Sequence, residues 1–327
     1  MRIVVFGPDR RVGAMLDGFV VDLAHAAEAY GTASGAALPA GLRSFIEAGP
    51  RAVADAERLL VTVRAALAGG LPGIAHAAAT VQLHAPHVEG ARVACVSGNF
   101  ADHTAAIDAK RANDPNFQPD MPKITREIRE RGIVGFWKVA REAAGPDGDV
   151  FHPARTRCFD FESELAIVIG KRARNVGETE LHDYVWGVTL FGDWSARQGI
   201  KGAQQFTLLK NFDTSFSVGP WIVVGEDVDP SDVQIETYVN GERRQNYNTS
   251  AMIFTFAESL AFITRDLTLH PGDLIAGGTA AGTCGESAIV LPEGGFSPEG
   301  FLVPGDVVEI RSPAVGVLRN RIVAALP

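Results

Sequence analysis

Three cysteines in 327 residues, Cys95, Cys158 and Cys284, are too few, too far apart and odd in number for a disulfide framework or a CxxC zinc cluster. They are expected as reduced, mostly buried thiols. Long apolar runs are missing too: no stretch approaches the ~18 residues of a membrane span, and MRIVVFG at the N-terminus is too short for the apolar region of a secretory signal. A cytoplasmic chain without membrane contact is expected. Basic residues are outnumbered, 30 against 39 acids, giving a net charge of −9, and they form no long run, which excludes a nucleic-acid footprint. The expected partner is a small molecule. Low-complexity tracts are absent, and hydrophobic residues at 46% against 21% charged describe a globular core rather than a disordered chain.

What is present reads mainly as strand. MRIVVFG, RVGAML and FVVDLA form three short strands with turns at Pro8-Asp9-Arg10 and Asp17-Gly18, followed by helical patterns up to residue 67 that Gly49-Pro50 interrupts. The breaker cluster Gly69-Gly70-Leu71-Pro72-Gly73 marks a boundary, giving a small N-terminal α+β domain at 1–73 and a β-rich domain at 74–327. In the latter, VQLHAPHV, ARVACVSGNF, DYVWGVTLF and a hairpin turning at Asn240-Gly241 precede strands at 273–276, 307–310 and 315–323. The fold class is α+β, mostly β. One segment, about 103–132, is polar, with helical stretches on both sides of NDPNFQPDMP. Its composition keeps it out of the core and fits either a solvated excursion or an active-site lid.

The chemistry centres on FDFESELAIVIG at 159–170, where an apolar, β-branched run reads as a strand. On a strand, Glu162 and Glu164 point to one face, and two such carboxylates repel unless a cation or a proton sits between them. The other reading is the solvent-facing end of an edge strand. Asp193, at the end of a buried strand, is placed either to join the pair in an all-oxygen site, which suits magnesium, or to serve as a turn residue. His103, after the strand end NFADH, is the histidine best placed for general-base work. Lys210 and Arg197 are cations in or beside apolar segments, costly there unless a ligand or a carboxylate pairs with them. The glycine-rich AGGTAAGTCGES has Thr283-Cys284 where a phosphate loop requires Lys-Ser/Thr, so it is no nucleotide site, though it permits close backbone approach to a ligand.

Several segments together resemble the fumarylacetoacetate hydrolase family: NFADH, FWK at 136–138, DFESEL, GDWSAR, LKNFDT with VGPW, VNGERRQ and TLHPGDLIAGGT. The resemblance implies a mixed β-sandwich or β-roll main domain behind a small N-terminal domain, usually in a homodimer. It implies Glu162, Glu164 and Asp193 as ligands of Mg2+, or of Mn2+ or Ca2+ in some members. His103 is then the base that activates water and Lys210 a catalytic cation, with Arg197, Lys138 and Thr279 on the substrate. The implied reaction is cleavage of a carbon–carbon bond in an acylpyruvate-like 1,3-dioxo acid. The alternatives are a 2-oxo acid decarboxylase or tautomerase of the oxaloacetate type, and a non-catalytic ligand-binding member. Three departures stand out. Ala106 occupies the position where smaller members carry a glutamate partner for the histidine, so Asp102, Asp108 or another lid acid would have to replace it. The span from His103 to Lys138 is longer than in compact members, and Ile200 stands where some hydrolases place a substrate-binding glutamine.

Overall fold

A computed structural model describes all residues except 113–116, 198–205, 226–227, 292–294 and 326–327, and leaves aside the side chains of Arg111 and Ala112. The β-branched run after Glu162 forms the strand Ser163–Ile169, buried along its whole length. It pairs antiparallel with Val185–Asp193 on one side and Leu274–Ala276 on the other. These strands sit inside a mixed sheet that runs on through Val93–Ser97 to an edge at Val134–Lys138. In the other direction Val185–Asp193 pairs with Phe216–Val224, and that strand pairs with Arg2–Phe6, so the N-terminal strands continue the same sheet. A second sheet contains Glu242–Asn248, Gln234–Val239, Val307–Ser312, Gly316–Val323 and Asp149–Phe151. Its hairpin turns at Asn240 and Gly241, both at positive φ (51° and 84°), the conformation that matches strand twist.

The period of two decides what lies on either side of the Ser163–Ile169 strand. Leu165, Ile167 and Ile169 join Ile235, Tyr247, Ile310 and Leu318 in the core between the sheets. Ala166 and Val168 join the opposite core, which includes Phe45 and Ile46 of the helix Leu42–Glu47 and Leu59 and Val63 of the helix Gly49–Ala66. A strand covered on both faces needs apolar residues at every position, and this one has them until it reaches the glutamates. The architecture is α+β and mostly β, as the sequence predicts. Among the described residues no helix is long and apolar enough to cross a membrane.

The polar segment forms two helices, Ala101–Ala112 and Met121–Arg131. Contrary to the expectation from composition, part of it is core: Ala105, Ile124 and Ile128 pack with Ile253 and Phe254. Isoleucines four residues apart form a narrow stripe on an otherwise charged helix, and average polarity hides such a stripe.

His87, in the wall of a cleft of about 1660 Å3 that Arg10 and Arg43 also line, packs edge-on against Phe216. Both ring nitrogens are buried without a partner among the described residues. Burial, helped by Arg10 and Arg43, lowers the imidazole from its ordinary 6.5 to about 4. Between these values the unfolded chain binds a proton that the folded chain refuses, so stability falls as pH drops from about 6.5 toward about 4. Urea denaturation is expected to show a loss of roughly 1–3 kcal/mol over this window that His87→Phe flattens. An unchanged slope in the variant would sink this account.

Candidate active site

The strand ends bring the three predicted ligands together. Glu162 and Asp193 face each other across the sheet, exchanging backbone hydrogen bonds of 3.2 and 2.8 Å. Glu164, two residues along the same strand, presents its carboxylate to the same side, and one oxygen from each of the three acids lies within 4.8 Å of the others. The Ser163 carbonyl between the glutamates accepts hydrogen bonds from Tyr247 Oη at 2.5 Å and Thr279 Oγ1 at 2.9 Å. Thr279 thus fixes the backbone that carries the pair, and it accepts a bond in turn from Gln245 Nε2 at 2.9 Å.

Two buried lysines and the partly buried Arg197 face these acids. Lys210 Nζ donates to Glu162 and Asp193 at 2.7 Å each and to Ser195 Oγ at 2.8 Å. Lys138 Nζ pairs with Asp193 and donates to the carbonyls of Trp194, Lys210 and Ser215 at 3.1, 2.8 and 2.7 Å. Expected on the substrate, Lys138 instead has its donors committed to the protein and buttresses Asp193. Arg197 bridges Asp160 at 2.8 Å and Glu162 at 2.6 Å. For Glu162, burial alone would raise the carboxyl, but Lys210, Arg197 and His103 outweigh it and hold the group well below the usual carboxylate range.

Glu164 goes the other way. Burial first, then Asp193 and Glu162, push its carboxyl well above the usual range, and its one hydrogen-bond donor among the described residues is the Gly278 N–H at 2.8 Å. No cation among the described residues pairs with it. An all-oxygen donor set with one carboxylate short of positive charge fits a hard divalent ion, which would supply that charge.

His103 is buried on the helix Ala101–Ala112, near enough to Glu162 to lower that carboxyl. The residue at 106 is indeed no partner, but neither is Asp102, whose carboxylate accepts the His103 backbone N–H at 2.7 Å. The ring's partner is Glu286, bonded to Nδ1. The other Glu286 oxygen accepts the Gly282 N–H at 2.6 Å. Sequence reasoning missed this residue because 183 positions separate it from His103 and its only signal is an acid just past the glycine-rich loop. The vacancy at 106, the ground for a non-catalytic reading, is thereby filled from the far end of the chain. Ile200 lies outside the described residues.

One turn pair beyond His103 on the same helix face, Lys110 Nζ donates to the carbonyls of Gly285 and Glu286 at 3.1 and 2.9 Å. His103 and Lys110 together dock the helix onto the segment carrying Glu286. Lys110→Met is expected to speed amide hydrogen exchange across 101–112 by roughly three- to tenfold, the equivalent of about one hydrogen bond. Unchanged exchange would show that the helix is held without it.

Fold and site define a β-rich protein with a buried three-carboxylate cluster and a histidine–glutamate pair beside it. The chain belongs to the fumarylacetoacetate hydrolase family: the family model described as "Fumarylacetoacetate (FAA) hydrolase C-terminal" matches residues 92–323. Relatives include the mitochondrial oxaloacetate tautomerase Fahd2a of Rattus norvegicus, 31% identical over 88% of this chain and 81% of its own length. The oxaloacetate tautomerase YisK of Bacillus subtilis is 31% identical over 87% of each. Among solved structures, maleylpyruvate hydrolase from Sphingobium sp. SYK-6, in complex with manganese(II) and pyruvate, is similar at a TM-score of 0.68 and 25% identity, with all of both chains covered.

Proposed function

We propose that the protein is a divalent-metal-dependent hydrolase that cleaves a carbon–carbon bond in acylpyruvate-like acids. The observation that carries this reading is the His103–Glu286 pair beside the three carboxylates. Glu162, Glu164 and Asp193 would hold the ion, magnesium in our reading, which when bound supplies an electrophile that polarises the carbonyl of a 2-oxo acid. Glu286 accepts the Nδ1 proton of His103 and so leaves Nε2 as the base. Nε2 takes a proton from water, and the water oxygen adds to the distal carbonyl carbon. The bond to the neighbouring methylene then breaks with its electron pair on that carbon, and the proton returned from His103 yields pyruvate and a carboxylic acid. Lys210 offsets negative charge beside Glu162 and Asp193, and Arg197 sits at the rim toward the substrate.

A second reading, oxaloacetate tautomerase, is favoured by the names of the relatives from rat and Bacillus. It uses the same groups: His103 Nε2 moves a proton between the methylene carbon and the enol oxygen, and no water adds. Loss of enol absorbance with release of pyruvate from acylpyruvates, abolished by chelator and restored by magnesium, is expected for the hydrolase. Enol–keto conversion of oxaloacetate without pyruvate release would move the assignment to tautomerase, and turnover that ignores the chelator would overturn both. A homodimer, proposed on the family resemblance, is checked by light scattering on the purified chain.

A further inference from the structure

Asp160 is completely buried, two residues before Glu162, and each of its carboxylate oxygens accepts two hydrogen bonds among the described residues. Oδ1 takes the N–H of Phe161 at 2.9 Å and that of Cys284 at 2.7 Å. Oδ2 takes the N–H of Gly285 at 2.9 Å and Arg197 Nε at 2.8 Å. Such a full set of donors is what a buried carboxylate requires in place of water. Asp160 lies on the short strand Phe159–Asp160 that leads into the glutamates, whereas Cys284 and Gly285 open the turn Cys284–Ser287 that contains Glu286. These two residues are 124 and 125 positions away in sequence. The residue next to the turn that could do this locally is idle. Thr283 stands just before it, where a threonine hydroxyl ordinarily accepts a free N–H, yet it makes no such bond and its hydroxyl has no partner among the described residues. A local cap fixes the shape of a turn, and only a distant one also fixes its place. Asp160 is itself held by its strand's pairing with Ser195–Ala196. Gly285 adds a second sign of close seating, since a Cβ there would lie 3.1 Å from Asp160 Oδ2 and 3.3 Å from Arg197 Nε.

We propose that Asp160 is a positioning residue: it holds the Glu286 turn in register with the three-carboxylate cluster and thereby sets which nitrogen of His103 carries the proton. The route is continuous. Arg197 bridges Glu162, at 2.6 Å, and Asp160; Asp160 holds the N–H groups of residues 284 and 285; and Glu286 in that turn pairs with Nδ1 of His103. The inference rests on the acid–base reading of His103 and Glu286 above, but it concerns how the pair is held and not which reaction follows. Asparagine at 160 would keep the size and lose the function. It has one accepting oxygen, so whichever way the amide turns, its NH2 faces two N–H donors.

Nitrogen NMR of the magnesium-loaded, 15N-histidine-labelled protein reads the tautomer directly in alkaline buffer, where imidazoles are neutral, with the His103 signal assigned by its loss in His103→Ala. The wild type is expected to carry the proton on Nδ1. Asp160→Asn should shift the tautomer ratio toward Nε2–H by roughly five- to tenfold, the equivalent of about one hydrogen bond, and lower kcat by roughly 10- to 100-fold. In a Glu286→Gln background the same substitution should lower kcat by less than about twofold, because both residues act through one contact. Gly285→Ala leaves the Asp160 carboxylate in place and pushes the turn off it, so it should shift the ratio the same way by a few-fold, and it decides the matter if Asp160→Asn fails to fold. A lowered Tm with an unchanged tautomer ratio in these variants, or kcat losses that multiply with Glu286→Gln, would overturn the proposal. The tautomer shift in a protein that turns over no acylpyruvate would leave Asp160 in this role and overturn the hydrolase reading instead.

Discussion

His103→Ala and Glu286→Ala are each expected to lower kcat/KM by roughly 10²–10⁴-fold, the usual contribution of a positioned general base. The double variant should be no worse than the worse single one, because a base and the group that orients it act as one unit. Glu286 is not among the three carboxylates of the cluster, so magnesium affinity in Glu286→Ala should stay within a few-fold of the parent. Glu286→Gln is a stricter test, since the amide keeps size and can hydrogen-bond but does not favour the same imidazole state. Losses that multiply in the double variant would show the two residues working separately. An active Glu286→Ala would remove the basis of the mechanism.

The second large effect concerns stability. Asp193 is completely buried between Lys138 and Lys210, so Asp193→Asn leaves two buried ammonium groups facing a neutral amide. Removing one partner from a buried ion network costs about 3–5 kcal/mol. Urea unfolding of the metal-free variant should register that loss, and magnesium should produce no binding heat. Glu164→Gln should behave oppositely. Its carboxyl is buried with two like charges and, among the described residues, no paired cation, so the neutral amide keeps or improves metal-free stability while metal affinity is lost. If both variants lost stability equally, the assignment of Lys138 and Lys210 to Asp193 would be wrong. Lys138 needs Asp193 more than its neighbour does. Burial lowers its ammonium despite the aspartate, whereas Lys210, sharing two carboxylates, is raised.

The sequence by itself determined the strands and the shared face of the two glutamates because both depend on short-range periodicity. Glu162 and Glu164 share a face through a spacing of two, and the strand Ser163–Ile169 is apolar on both sides because both faces are covered. Asn240-Gly241 specified its own turn. Asp193 was legible from its place at the end of a buried strand, and the family resemblance joined it to the pair. The tertiary structure alone decided how the long-range groups were used. It gave His103 a partner from the other end of the chain, turned Lys138 inward onto Asp193, and docked the polar segment through a two-isoleucine stripe. Pairings of this kind are set by which strand ends and loops meet after the sheets pack, and a side chain's available partners are not encoded near it in sequence. Local periodicity therefore fixed where the carboxylates point, and packing fixed which charges and proton-transfer groups they meet.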